Sequence, residues 1–134
     1  MAIRRIRKEG DPVLRTVCKP VTQFDESLWR LLDDMQETLK DAGGVGLAAP
    51  QVGIPKRLFI MDLGLPQMIE AINPQILKVS GKQHVVEGCL SCPDTWGYVD
   101  RPKRCRMRAQ NRRVEIYITA NADMIKKAES GQLN

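Results

Sequence analysis

The stretch from residue 25 to residue 42 constrains the fold of this chain more than any other. Leu28, Leu31, Leu32, Met35 and Leu39 recur at spacings of three, one, three and four, which lines them along one face of an α-helix. Asp25 is placed to cap its start, Glu26 suits the positive end of the helix dipole, and Gly43 and Gly44 end it. The pattern then changes period. Residues 58–63 form a short apolar run opened by Pro55, and residues 71–77 form another, interrupted at Asn73 and Pro74. Proline cannot donate to a ladder, so an edge or a bulge is expected there. Residues 104–109 alternate strictly, with Cys105, Met107 and Ala109 on one face and Arg104, Arg106 and Arg108 on the other. Residues 113–119 alternate again, with Val114, Ile116 and Ile118 inward. One early helix packed on antiparallel sheets is an α+β architecture.

At 134 residues the chain reads as one domain over 1–134. It holds no apolar run of about 18 residues, so no membrane partner is expected, and the charged start of the sequence predicts a cytoplasmic protein with reduced thiols at Cys18, Cys89, Cys92 and Cys105. The formal charge of +5 is concentrated in residues 4–8 and 101–113. These clusters read as solvated edges and strand faces. With 4% aromatic residues the chain has little to stack on bases, and no specific nucleic-acid partner is expected.

Two short segments carry chemistry. In GVGLAAPQVG (44–53), two glycines and two small alanines describe a backbone that something approaches closely, such as an extended peptide added by main-chain hydrogen bonds. Gln51 offers a neutral amide donor for a developing oxyanion. A packed turn after a helix would look the same. In EGCLSCPD (87–94), Cys89 could be a nucleophile, a soft metal ligand or an inert buried thiol.

Together, GVGLAAPQ followed by EGCLS resembles the first two signature motifs of the peptide deformylases. These metal-dependent hydrolases remove the formyl group from the N-terminal methionine of new polypeptides. The resemblance extends to residues 32–38, to QVG at 51–53, to INP at 72–74, to WGYVDRP at 96–102 and to RAQNR at 108–112. It covers roughly residues 3–112, and its wording is similar to that of Gram-positive members. It implies that Cys89 is the cysteine metal ligand. It also implies that Gln51 and the backbone amide of Leu90 face the oxyanion, and that the backbone at Val45 and Gly46 pairs with an N-formylmethionyl peptide near the ribosome. Glu87 would be held through a cation such as Arg101.

The family's third motif, HExxH, supplies two imidazole ligands and a proton-shuttling glutamate from one helix face. These 134 residues contain one histidine, His84, in a strand-like run. A truncated or degenerate member is therefore expected, divergent from about residue 113, where Arg113 stands in place of a turn glycine. It would lack the C-terminal metal-binding helix and be inactive or severely impaired. No cofactor is expected in this chain, against Fe2+ or Zn2+ in complete members. Met124, Ile125 and Ala128 suggest a short substitute helix over 122–133. Three alternatives stay open: an active enzyme completed by a partner chain or an unusual metal site, a non-catalytic binder of formyl-Met peptides, and a CxxC site at Cys89 and Cys92. The last would need a following helix for redox work, whereas residues 93–97 read as a loop.

Overall fold

The computed structural model describes residues 2–112 and 114–121. The expected turn at Arg113 and the helix expected over 122–133 lie outside them. In chain order the regular elements are α1 (Glu26–Ala42), β1 (Gly46–Ala48), β2 (Leu58–Met61), β3 (Ile69–Ser80), β4 (Gln83–Cys89), β5 (Cys92–Arg101), β6 (Arg104–Asn111) and β7 (Val114–Asn121). Two antiparallel sheets result: a five-stranded one in the order β1-β2-β3-β6-β7, and the β4-β5 hairpin.

The helix starts and stops where its residues dictate. Asp25 accepts a hydrogen bond from the Leu28 amide at 3.2 Å, which satisfies one of the donors a helix start leaves open. Gly43 takes a left-handed φ of 71° and donates to the Leu39 carbonyl, a conformation that costs glycine little. Leu28, Leu31, Leu32, Met35 and Leu39 are all buried. They pack on Leu47, Leu58, Ile60 and Ile72, the inner face of the first three strands, and on Val52 in the turn after β1. Leu32 has no exposed surface, so its truncation to alanine costs about 2–5 kcal/mol. A second, smaller cluster joins Ala71, Met107 and Ala109 to Phe59, Ile116 and Ile118, so Met107, Ala109, Ile116 and Ile118 face inward as the alternation predicts, while the Val114 side chain lies outside the described residues.

The helix also buries two polar residues, Asp34 and Thr38. Both hold the N-terminal segment: the Ala2 amide donates to Asp34 at 2.8 Å, the Arg4 amide to Thr38 at 2.8 Å, and the Arg4 guanidinium to Asp34 at 2.9 Å. The basic stretch at 4–8, expected to be a solvated edge, is thus in part a strap tied to the helix.

Two strand readings are refined. The interruption at Asn73 and Pro74 is a bulge in β3, which is an interior strand and not an edge. Asn73 has a φ of 51°, a region asparagine enters more readily than most residues. Its side chain accepts from the Val21 amide at 2.7 Å and donates to the Val21 carbonyl at 2.9 Å. Residues 93–97, read as a loop, belong to β5. Gly88 lies opposite Trp96 and Cys89 opposite Cys92, so residues 93–95 form an excess on one strand. Pro93 and Asp94, with φ 58° at Asp94, occupy that bulge, while the β-branched and aromatic residues beyond them pair normally. Among the described residues no helix is long and apolar enough to cross a membrane.

Candidate functional site

The end of α1 leads into β1, an edge strand paired only with β2 among the described residues. A single 3-10 turn, Ala49–Val52, follows, opened by Pro50 near its start and closed by Gly53 at φ 87°. This turn aims Gln51 at the hairpin. Its side-chain oxygen accepts from the Ala48 amide at 2.9 Å. A carboxamide with its oxygen so engaged must present its NH2 on the other side. That NH2 donates to the Ser91 hydroxyl at 3.0 Å and lies 3.6 Å from the Cys89 sulfur. Ser91 is buried and Cys89 is exposed.

The hairpin turn is held from three sides. Leu90 and Ser91 form a two-residue connection between β4 and β5. The N-terminal segment bridges it to the first motif: the Arg7 amide donates to the Gln51 carbonyl at 2.7 Å, and the Glu9 amide to the Ser91 carbonyl at 2.9 Å. Lys8 Nζ donates to the Leu90 carbonyl at 3.2 Å. Beneath Leu90 lies Gly44, where a Cβ would fall 2.8 Å from Leu90 Cδ1. Arg101 donates twice to Glu87 at the base of the motif. Those hydrogen bonds, against a smaller opposing effect of burial, hold the Glu87 carboxyl below its usual range. The Cys92 thiol is pushed up, first by burial and then by the neighbouring Cys89 and Glu9.

The polypeptide deformylase family model matches residues 3–126. The chain belongs to the peptide deformylase family. It is 48% identical over 125 residues to a peptide deformylase of Heliobacterium modesticaldum, covering 93% of this chain and 82% of the relative. Against peptide deformylase 1 of Clostridium acetobutylicum the identity is 47%, over all of this chain and 91% of the relative. The fold agrees with the crystal structure of the Thermotoga maritima peptide deformylase at a TM-score of 0.87, with 39% identity and coverage of 99% and 93%. The Legionella pneumophila peptide deformylase gives 0.88, with 37% identity and coverage of 98% and 82%.

Deformylases are metal-dependent, and a catalytic ion of this kind takes about three protein ligands plus an open position. Cys89 is a thiol in the open, with Cys92 opposite it and Glu9 3.9 Å from the Cys92 sulfur. Among the described residues no group of three or more His, Cys, Asp or Glu side chains could hold a metal. The lone histidine does not help. His84 Nδ1 lies 2.8 Å from Asp100 Oδ1, and its ring stacks on Tyr98 at 5.2 Å. In β4 it alternates with Val85 and Glu87, on the opposite face of the hairpin. The described residues thus do not fit a three-ligand catalytic ion, and no chemical step is routed through one.

Of the residues singled out from sequence, Gln51, Cys89 and Leu90 meet at one place, and Glu87 pairs with Arg101. Val45 and Gly46 sit one turn earlier on the chain, with the Val45 carbonyl accepting from the Asp62 amide at 2.8 Å and Gly46 exposed opposite Met61. Cys89 is not the buried inert thiol that remained an alternative. Sequence reading missed three contributors: Ser91, which takes the Gln51 amide hydrogen, and Lys8 and Glu9, which clamp the turn. Ser91 stands inside the EGCLS string; Lys8 and Glu9 left no local signal.

Proposed function

We propose that this chain builds the amide-donor and substrate-strand portion of a site for N-formylmethionyl peptides, and that these 134 residues alone do not hydrolyse the formyl amide. The observation that carries the reading is the fixed Gln51 carboxamide, whose NH2 is turned toward Cys89 and the hairpin by the Ala48 amide behind it. When water adds to a formyl carbon, negative charge collects on the formyl oxygen. Gln51 and the Leu90 backbone amide are the neutral donors assigned to that oxygen. The exposed edge at Val45 and Gly46 is assigned to main-chain pairing with the peptide. Cys89 is assigned the thiolate role. With one histidine in the sequence, the two imidazoles of a complete site are not available from these residues, which supports the inactive reading. The setting proposed is the cytoplasm, where newly made chains still carry formyl-Met.

The test has two arms. Formate release from a formyl-Met peptide is measured on anaerobically purified protein supplied with ferrous iron or zinc, with metal content read on the same sample. No turnover is expected, and turnover that disappears in a Cys89→Ala variant would overturn the inactive reading. Amide NMR spectra are then recorded as the peptide is added. Shifts at Val45, Gly46 and Gln51 are expected, and their absence while other regions shift would remove the binding assignment.

A further inference from the structure

Cys89 and Cys92 stand directly opposite one another at the tip of the β4-β5 hairpin, separated by the two-residue connection Leu90 and Ser91. Residues directly opposed in an antiparallel pair have Cα atoms about 4.5–5.5 Å apart, inside the window of about 4.4–6.8 Å that a disulfide spans. Both are free thiols, Cys89 exposed and Cys92 half-buried. The other two thiols lie elsewhere in the fold: Cys18 precedes α1, and Cys105 is on β6 opposite Val79.

We propose that Cys89 and Cys92 are a reversible modification site, closing to an intramolecular disulfide when a hydroperoxide reaches the exposed Cys89. The Cys89 sulfur attacks the terminal peroxide oxygen and the O–O bond breaks. With hydrogen peroxide one water leaves and Cys89 becomes a sulfenic acid. The Cys92 sulfur then attacks the Cys89 sulfur, the S–O bond breaks, and the hydroxyl departs as a second water with the Cys92 proton. Two thiols have lost two electrons and one peroxide has gained them. The neighbouring thiol diverts the sulfenic acid from the further oxidation to sulfinic acid that an isolated cysteine undergoes irreversibly. Closure also takes the Cys89 sulfur from its place 3.6 Å from the Gln51 amide. This chemistry needs only the two thiols and is independent of the formyl-peptide reading.

The whole chain is treated with hydrogen peroxide under non-reducing conditions, digested, and mapped by mass spectrometry alongside a free-thiol count. The expected result is loss of two of the four thiols, a mass lower by two hydrogen atoms, a crosslink within residues 89–92, and full recovery on adding dithiothreitol. A Cys92→Ser variant is expected to gain oxygen at Cys89 with no such mass loss. A Cys18→Ser/Cys105→Ser variant keeps the crosslink. The proposal is overturned if the wild-type chain adds oxygen at Cys89 while Cys92 stays a thiol. It is equally overturned if the disulfides formed engage Cys18, Cys105 or a second molecule. The mapping on the wild-type chain decides the question even where a variant does not fold.

Discussion

Arg101 grips Glu87 through two parallel hydrogen bonds, Nε to Oε2 at 2.9 Å and Nη2 to Oε1 at 2.8 Å. Arg101 sits opposite Gln83 and Glu87 opposite Gly97, so the guanidinium reaches back along the hairpin to the residue that opens EGCLS. This fork geometry suits arginine and not lysine.

Replacing Arg101 with alanine therefore acts on the carboxyl first. The Glu87 pKa lies below its ordinary 4.5 in the folded chain, so the pair stabilises the fold above that ordinary value and the contribution is lost as pH falls through the lowered one. In Arg101→Ala the Glu87 carboxyl carbon is expected to titrate at higher pH by NMR. Both side chains are more than a third exposed, so solvent screening keeps the stability loss at about 0.5 kcal/mol. A titration unchanged by the substitution would show that Arg101 does not set the Glu87 pKa.

Gly44→Ala tests the contact between the two motifs. Its Cβ would meet Leu90 Cδ1 at 2.8 Å and Leu39 Cδ1 at 3.2 Å, and Leu39 is fully buried. The Leu90 side chain is expected to move, shifting its methyl resonances and the Ser91 amide, with a loss of about 1–2 kcal/mol from overpacking. A variant with wild-type urea midpoint and unmoved Leu90 methyls would mean that the two segments do not touch.

Arg112→Met isolates an inner charge network. Arg112 donates to Glu70 at 2.8 Å and also to Asp33, and its guanidinium lies over Trp29. The Glu70 hydrogen bonds, followed by those of Asp33, raise the Arg112 pKa despite burial, so the arginine is charged at every working pH. Methionine leaves the Glu70 carboxylate, 5% exposed, with Gln36 as its remaining donor. A loss of about 3 kcal/mol in urea unfolding is expected. A loss below about 1 kcal/mol would place Glu70 in contact with water, as surface pairs are.

Asp34→Asn should flatten the acid side of the stability profile. Burial pushes the Asp34 carboxyl up, but the Ala2 amide and Arg4 more than reverse this, and its pKa ends below the usual 3.8. Its contribution is present above that value and vanishes as pH falls through the lower folded one. The wild-type urea midpoint is expected to drop more steeply between neutral pH and pH ~3 than that of the variant. Equal slopes would remove Asp34 from the acid response.

The helix was legible because its information is local: five apolar positions, a capping Asp25 and a terminating Gly43 all lie within one stretch. The faces of β6 were legible for the same reason. The pairing of Gln51 with Cys89, 38 positions apart, was reachable only through the family resemblance, since strands and loops separate motifs whose spacing has no period. Residues 93–97 misled because Pro93 and Asp94 signal a turn, and they do form a local irregularity, but within a strand that Trp96 to Val99 sustain by cross-strand pairing. The strap at 2–9 was invisible for a deeper reason. Arg4 and Lys8 look like solvent-facing cations until Asp34 and the Leu90 carbonyl, far along the chain, come to meet them.

That strap bears on the order in which the protein can assemble as it is made. Lys8 emerges from the ribosome 82 positions ahead of its acceptor on Leu90, and Arg7 waits for Gln51. Residues 2–4 can settle on α1 through Asp34 and Thr38 once the helix is out, but the clamp across the two motifs cannot close until the hairpin tip has followed. Vectorial synthesis thus yields a docked helix first and an aligned Gln51 and Cys89 only late.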